Sequence, residues 1–553
     1  MGKFQVRGVL LTSLVGAAVL SEVIALILIL INLSWVSLPV GYKYGLVFDA
    51  GSTHTALFLY KWQEDKQNST GLVTQVMVCD VDGPGISSYA TNPPAAGQSL
   101  KVCLDTAVAA VPQEKQREAP IYLGATAGMR LLNITSPSQS DQVLAEVAKF
   151  IQLYPFDFRG ARIISGDEEG AYGWVTINYL LQSFIKGAGR LPFGVLVSPS
   201  ATRFVSRGCG QLSLSGLVFG QIISIGYTFE GKWKLPTSAK TLGAMDLGGA
   251  STQLTFTPAV AIKDKNYESN FTLYGNKYNV YTHSYLCYGK EQAMKKVQAN
   301  LIQEQAVKKK VQANLIQPSS LSNPIDHPCY PTGYQLNTTL GAIFNSPCVS
   351  YSGNSSLSML VIFTGTGNVS KCQDIIRGIF NFQACSSKTD CTFDGVYQPP
   401  ISGNFFAFSA FFYTFDILKL TPKASLSVTL DTISKFCQKT WAQLKAEYPT
   451  EKEDRLRDYC ASGYYITTLL VNGYKFNGTS WDNIQFQKKA DDMDIGWTLG
   501  YMLNLTNLIP STSPGLVRGQ GSGEWTASIF FTVFSIFLCL LAFSVQCLWK
   551  VDH

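Results

Sequence analysis

Histidine is scarce in this 553-residue chain: there are four, and they form no cluster. There is no Cys-x-x-Cys pair either, so nothing in the sequence calls for zinc. Charged residues are also few, at 15% with a net charge of +6. A nucleic-acid binder needs a concentrated basic face, and this composition gives none. Acidic residues are missing altogether from Gly187 to Gly226, a stretch rich in Gly and Ser. What the chain has in quantity is apolar residues, 46% of the total, and both ends are strongly apolar. The length between those ends allows two ordinary lobes plus accessories.

From Val9 to Leu33 the chain is almost wholly aliphatic apart from Glu22. Sixteen Leu, Ile and Val residues lie there. Each favours insertion by roughly 0.3 to 0.6 kcal/mol, which together outweighs one central acid costing about 3 kcal/mol. A cleaved signal peptide has a shorter apolar core, so a retained transmembrane helix over 9–33 is the expectation. Lys3 and Arg7 precede it and favour a cytosolic segment 1–8. A second span is expected over 528–548, flanked by Trp525 and Trp549 and followed by Lys550. The tail 549–553 is then cytosolic too, and the intervening domain is outside the cell. Glu22, a rare acid within a span, is a candidate contact between the spans or, in a homo-oligomer formed through the transmembrane helices, between subunits.

Cysteine usage agrees with export. Of thirteen, Cys539 and Cys547 lie in the second span, ten form an even set from Cys79 to Cys460, and Cys209 is left over. An even set in an exported domain reads as disulfides, although spacing alone leaves their connectivity open. Eight Asn-x-Ser/Thr sequons, at Asn68, Asn133, Asn270, Asn337, Asn354, Asn368, Asn477 and Asn504, fall between the spans, and one more, Asn32-Leu33-Ser34, starts at the end of the first.

The stretch Tyr44 to Trp62 carries the first chemical signal. An apolar run, Leu46-Val47-Phe48, ends in Asp49; a small-residue turn, Ala50-Gly51-Ser52-Thr53-His54, leads into a second β-rich run, Ala56 to Tyr60. This predicts a hairpin whose turn offers backbone N–H and hydroxyl groups to an anion, while Asp49 can hold a hydrated cation. A metal–phosphate complex suits such a loop. A second copy follows about two hundred residues later, with Leu242 to Met245 leading into Asp246-Leu247-Gly248-Gly249-Ala250-Ser251-Thr252-Gln253 and the run Leu254-Thr255-Phe256. Two strand–Asp–Gly–Ser/Thr loops suggest a duplicated lobe with both loops facing one cleft.

These loops resemble those of the actin and sugar-kinase superfamily. Three further stretches, Ala125 to Arg130, Ser165 to Trp174 and Gly496 to Leu503, complete a resemblance to the ectonucleoside triphosphate diphosphohydrolase, or apyrase, family from about Tyr44 to Pro510. The fold it implies is α/β, with two actin-like (RNase H-like) lobes, a nucleotide cleft between them and a transmembrane helix at each end. Lobe I would span 43–180 and lobe II 181–480, with 481–510 returning to lobe I. It also implies the disulfides Cys79–Cys103, Cys287–Cys348, Cys329–Cys372, Cys385–Cys391 and Cys437–Cys460.

Alternation of strands and helices independently argues α/β. Strands are expected over Thr70–Asp82, Ile121–Gly124 and Ala161–Ile164, and helices over Ala96–Val111, Val143–Leu153 and Ala171–Ile185. Phe405–Leu420 reads as helical, and Cys329–Gly403 as a disulfide-tied loop region. Two segments depart from the family pattern. Gly187–Gly226 looks like an insertion of about 40 residues. The nine residues Lys295–Gln303 recur identically at Lys309–Gln317, a period close to four α-helical turns that could lengthen a helix.

The resemblance assigns roles. Asp49 and Asp246 would hold Ca²⁺ or Mg²⁺, largely through water, with Trp497 packed beside the water shell. Gly51, Ser52, Thr53, His54, Thr126, Ala127 and Gly249 would cradle phosphates. Glu169 matches the general base, and Ser251 and Gln253 match residues that hold the attacking water. Tyr413 and Arg455 would stack on the nucleobase, and Lys290 stands where relatives commonly have Arg. Asp167 replaces the usual Gln, giving three consecutive carboxylates, Asp167, Glu168 and Glu169. Asp167 should then either face Glu169 and raise its pKa or point to solvent. The activity implied is hydrolysis of extracellular nucleoside tri- and diphosphates to monophosphates at the plasma membrane. The rivals are a lumenal nucleoside diphosphatase of the secretory pathway and an inactive adhesion or receptor protein.

Overall fold

The structure is a computed structural model that describes residues 3–31, 34–37, 41–64, 66, 69–184, 241–313, 324–351, 353, 355–491, 493–509, 516–519 and 522–548. The acid-free insertion, Cys209, Asn68, Asn354 and the tail 549–553 lie outside these residues.

Residues 43–62 and 66–510 form one compact unit containing two principal sheets. The first uses β1 (Tyr42–Ala50), β2 (Thr55–Gln63), β3 (Val73–Val81), β4 (Pro120–Ala125) and β5 (Asp157–Ile163), in the order β3-β2-β1-β4-β5. Strands β1, β4 and β5 are mutually parallel, and β3 runs antiparallel to β2. The second uses β6 (Gly243–Leu247), β7 (Ser251–Phe256), β8 (Glu268–Leu273), β9 (Asn276–Leu286), β10 (Phe405–Ser409) and β11 (Ile484–Phe486), in the order β11-β10-β6-β7-β9-β8. Here β6, β10 and β11 are parallel, while β7, β9 and β8 continue antiparallel. Each sheet thus repeats one arrangement: a buried strand, an Asp one residue before its end, a tight turn, and the next strand.

Period-two packing places the core on both faces of each sheet. In β1, Leu46 and Phe48 join a cluster with Leu100, Leu104, Val143 and Val147, whereas Val47 turns the other way. In β10, Phe405 and Ala407 face one cluster, and Phe406 and Phe408 face another. Val47, Tyr60, Ala244, Phe406 and Phe408 meet in a shared middle layer with Trp174 and Trp497. Trp174 lies on α2 (Gly166–Leu180), which follows α1 (Ala127–Thr135); Trp497 opens the later helix Trp497–Thr506. The latter helix crosses α2 closely because Gly500 has no side chain: any Cβ there would run into the Tyr172 carbonyl, and the Gly500 N–H donates to Thr176 Oγ1 at 2.9 Å.

Several elements differ from expectation. Phe405–Ser409 is a central strand of the second sheet, with the helix confined to Ala410–Ile417. Three aromatics in five residues, Phe405, Phe406 and Phe408, satisfy helical and buried-strand patterns alike, and pairing with β6 decides for the strand. The helix expected over Ala96–Val111 is two, Pro93–Ser99 and Lys101–Ala110, divided at Leu100. The region expected to be loop contains a three-stranded sheet, Ile325–His327, Gln335–Thr339 and Leu360–Gly365. The repeat does enter a helix, Lys290–Ala313, which holds the first copy and the first residues of the second. Five disulfides, Cys79–Cys103, Cys287–Cys348, Cys329–Cys372, Cys385–Cys391 and Cys437–Cys460, lie in this unit.

The second unit holds the chain ends. Helices Lys3–Ile31 and Ser522–Leu548 pack antiparallel: Arg7 donates to the Gln546 carbonyl at 2.6 Å, and Ser21 Oγ to the Phe531 carbonyl at 2.7 Å. Their apolar windows, Gln5–Leu30 and Trp525–Cys547, are long enough to cross a bilayer. The first helix begins before Val9 and the second before Ser528, because helical backbone continues past the apolar stretch. Glu22 is on the exposed side of the pair, away from the contact between the helices. A short ribbon pairs Ser34–Ser37 with Leu516–Gly519.

Candidate active site

The capping box at the start of α2 sorts the three consecutive carboxylates. Ser165 Oγ accepts from Glu168 N at 3.1 Å, and Glu168 Oε2 accepts from Ser165 N at 2.9 Å. Glu168 also takes a bidentate pair from Arg162 at 2.9 and 2.7 Å, which holds its pKa down despite burial. Asp167 neither faces Glu169 nor points to solvent: its Oδ1 accepts the backbone N–H of Ser284 on β9 at 3.1 Å. Burial raises its pKa, and the bond to Ser284 and the Arg130 charge oppose that rise. Glu169 points inward and is 8% exposed.

Around Glu169 lie donors from α1 and from the second sheet. Arg130 on α1 forms an ion pair with its Oε2, and Gln253 Nε2 donates to the same oxygen at 3.1 Å. Gln253 Nε2 is also 2.8 Å from Ser251 Oγ and 2.9 Å from Ser284 Oγ. Burial pushes the Glu169 pKa up to about 8, with Arg130 pulling it down and the carboxylates of Asp246 and Asp49 adding to the rise. Asp246 is pushed up to about 6, first by burial and then by Asp49, and Asp49 is raised mainly by burial.

The Asp49 and Asp246 Oδ1 atoms are buried without a hydrogen-bond partner, and the buried Trp497 indole lies close enough to Asp49 to oppose the rise in its pKa. Trp497 closes over Gly124, the partner of Asp49 in the β1–β4 register, and leaves no space for a Cβ there. Two buried carboxylates with unpartnered oxygens, the charge of Asp49 raising the pKa of Asp246, fit a hydrated divalent cation with hard oxygen ligands. Among the described residues there is no cluster of three or more His, Cys, Asp or Glu ligands, so water would supply most of the coordination.

The two small-residue turns meet directly. A methyl placed on Gly249 would lie 2.7 Å from Ser52 Oγ and 2.9 Å from the Thr53 methyl. The Thr53 hydroxyl is 3.1 Å from His54 Nδ1. The Thr126 N–H donates to the Ala50 carbonyl at 3.0 Å, which ties the end of β4 to the first turn, and Ala127 begins α1 beside it. Behind the second turn, the N–H groups of Lys290 and Glu291 donate to the carbonyls of Gly248 and Gly249, each at 2.9 Å. Lys290 therefore braces this turn through its backbone, and its side chain lies within electrostatic reach of Asp458. Tyr413 and Arg455 are both exposed, and the Lys488 ammonium sits 5.8 Å from the Tyr413 ring centre. The sequons at Asn133, Asn270, Asn337, Asn368 and Asn477 are exposed, and Asn504 is half-buried.

Sequence reading missed Arg130, Ser284 and Lys488 as members of these groups. Arg130 was visible as the last residue of the Ala125–Arg130 motif. Ser284 lies on an ordinary strand and carries no local signal.

The family model for GDA1/CD39 (nucleoside phosphatase) proteins matches residues 37–517. The chain belongs to this family. Among GDA1/CD39 relatives, it is 46% identical over 546 residues to ectonucleoside triphosphate diphosphohydrolase 8 of Gallus gallus, covering 99% of each chain. It is 42% identical to the Homo sapiens protein of the same name, covering 98% of each, and 43% identical to ectonucleoside triphosphate diphosphohydrolase 2 of Mus musculus, covering 95% of each. A solved nucleoside triphosphate hydrolase from Neospora caninum superposes with a TM-score of 0.51 at 14% identity, over 89% of this chain and 95% of that one, a likeness of fold. Membership of the GDA1/CD39 family makes the protein a nucleoside phosphatase, an enzyme that hydrolyses nucleotide phosphates. Enzymes of this family depend in general on divalent cations.

Proposed function

We propose that this enzyme hydrolyses extracellular nucleoside tri- and diphosphates to monophosphates, by attack of a water molecule activated by Glu169. The observation that carries this is the buried Glu169 carboxylate beneath two facing phosphate-type turns, hydrogen-bonded to Gln253 and paired with Arg130. Gln253 turns its Nε2 toward Glu169 and leaves Oε1 buried and unpartnered, an acceptor for one proton of the water. Glu169 takes the other. Its raised pKa makes it a stronger base than a solvated carboxylate, and the Arg130 charge opposes that rise. The turns Gly51–His54 and Gly248–Gly249 would meet the phosphates, with Thr126 and Ala127 beside them. Asp49, Asp246 and Trp497 would hold Ca²⁺ or Mg²⁺ through its water, and when bound the ion neutralises charge developing on the phosphates. Tyr413 and Arg455 would take the base. We read both chain ends as cytosolic and residues 43–510 as extracellular, with the exposed sequons open to glycosylation and the spans available for homo-oligomer contacts.

The test is phosphate release by intact transfected cells given ATP or ADP outside. Activity that requires a divalent ion and falls at least about a hundredfold in Glu169→Gln, with nucleotide binding retained, is expected. Near-wild-type turnover by Glu169→Gln would assign the base elsewhere, and activity seen only after permeabilisation would place the site in the lumen of the secretory pathway.

A further inference from the structure

Ser284 lies opposite Gln253 in the β7–β9 register. Its Oγ accepts from Gln253 Nε2 at 2.9 Å and from Arg130 Nη1 at 3.4 Å. A hydroxyl has two lone pairs, and these two donors occupy both. We propose that Ser284 is a positioning residue for hydrolysis, orienting the Gln253 amide and the Arg130 guanidinium around Glu169, an inference that rests on Glu169 being the base.

The direction of the Gln253 amide is the point at issue. With its two ends exchanged, Oε1 would stand against the Glu169 carboxylate and meet a second acceptor. The amide nitrogen has two N–H groups and three acceptors within reach, Glu169 Oε2, Ser251 Oγ and Ser284 Oγ, which together hold it on this side and leave Oε1 to the water. Ser251 Oγ lies near the same nitrogen but is two residues away on the same strand, so it moves with Gln253. Ser284 belongs to a neighbouring strand and supplies an independent reference. It is itself fixed to the turn that carries the base: its N–H donates to Asp167 Oδ1, and Gly166 packs on its side chain so tightly that a Cβ would overlap Oγ. Asp167, Ser284, Gln253 and Glu169 thus form a closed circuit between α2 and two strands. Removing Ser284 Oγ opens it, leaves an Arg130 N–H without its acceptor, and lets the amide rotate.

Steady-state kinetics of full-length Ser284→Ala in membranes, with ATP and Ca²⁺, tests this. The expected result is kcat reduced about tenfold, the worth of one well-placed hydrogen bond, with KM within about twofold of wild type. In a Gln253→Ala background, Ser284→Ala should lower kcat by clearly less than in the wild type, leaving only the part that acts through Arg130, a non-additivity that general destabilisation does not produce. Unchanged kcat, a rise in KM alone, or the same loss with and without Gln253 would each overturn the inference. If Ser284→Ala does not fold, Ser284→Cys fills the same space with a poorer acceptor and carries the same comparison. Glu169→Gln, run in parallel, separates the two questions: if it retains turnover the base is misassigned, and if it is inactive while Ser284→Ala is normal, only the role of Ser284 falls.

Discussion

Asp167, Glu168 and Glu169 are adjacent in sequence and have three different surroundings: a strand amide, an arginine with a helix cap, and a buried pocket shared with two aspartates. The last has a measurable consequence for pH. Glu169, Asp246 and Asp49 all have raised pKa values in the folded chain, so each contributes stability that is complete below its unfolded pKa and is lost as pH rises through its folded one. The metal-free enzyme should therefore lose thermal stability as pH rises from about 4 to about 8, and level off beyond. A divalent cation held as proposed would stabilise the ionised Asp49 and Asp246, so Ca²⁺ at saturation should flatten that decline, and its affinity should increase with pH over the same interval. Melting temperatures across that range, with EDTA and with Ca²⁺, check both; a metal-free Tm that rises with pH would contradict the geometry. Glu169, Ser251 and Gln253 were legible in the sequence because they sit inside contiguous motifs. Ser284 was not, because its role comes from strand register with β7 and from the start of α2, more than a hundred residues away in sequence.

Elements were legible where one periodicity ruled. The two Asp-bearing turns could be read because each joins a buried strand to another; the start of α2 could not, since the helix expected from Ala171 begins at Gly166, where Ser165 and Glu168 close a capping box. Phe405–Ser409 could not be read, since its strand state depends on pairing with β6 and β11. Close packing between elements makes one small substitution informative. A methyl at Gly124 overlaps the Trp497 ring, so Gly124→Ala should displace Trp497 from beside Asp49. The expected outcome is divalent-ion affinity weakened at least about tenfold, while melting temperature falls by only a few degrees; isothermal titration with Ca²⁺ and a thermal melt separate the two. A second prediction concerns the chain on either side of Gly187–Gly226. The Asn178 side chain donates to the Leu242 carbonyl and accepts from the Leu242 N–H, both at 2.8 Å, so the register of β6 is set by α2. Deleting 187–226 should therefore leave specific activity unchanged and raise the yield of folded enzyme. Lower activity at equal yield would show that the segment takes part in function.

For the molecule as a whole, the antiparallel terminal helices put both chain ends on one side of any bilayer they cross. Epitope tags at the N- and C-termini should both become accessible to antibody only after permeabilisation, in cells whose surface activity is intact before it. A tag stained on unpermeabilised cells would exclude this topology. The helix pairing also bears on the order of assembly. Arg7 and its partner Gln546 are separated by 539 residues, so the first helix enters the membrane long before the second has been synthesised. The contact between them is among the last the chain can make, and it closes a loop that contains almost the entire protein. Because the entropy of such a closure grows only with the logarithm of loop length, most of its cost would already be present for a much smaller domain. What the length imposes is a wait, during which Arg7 and Ser21 must be served by lipid headgroups, water or another chain.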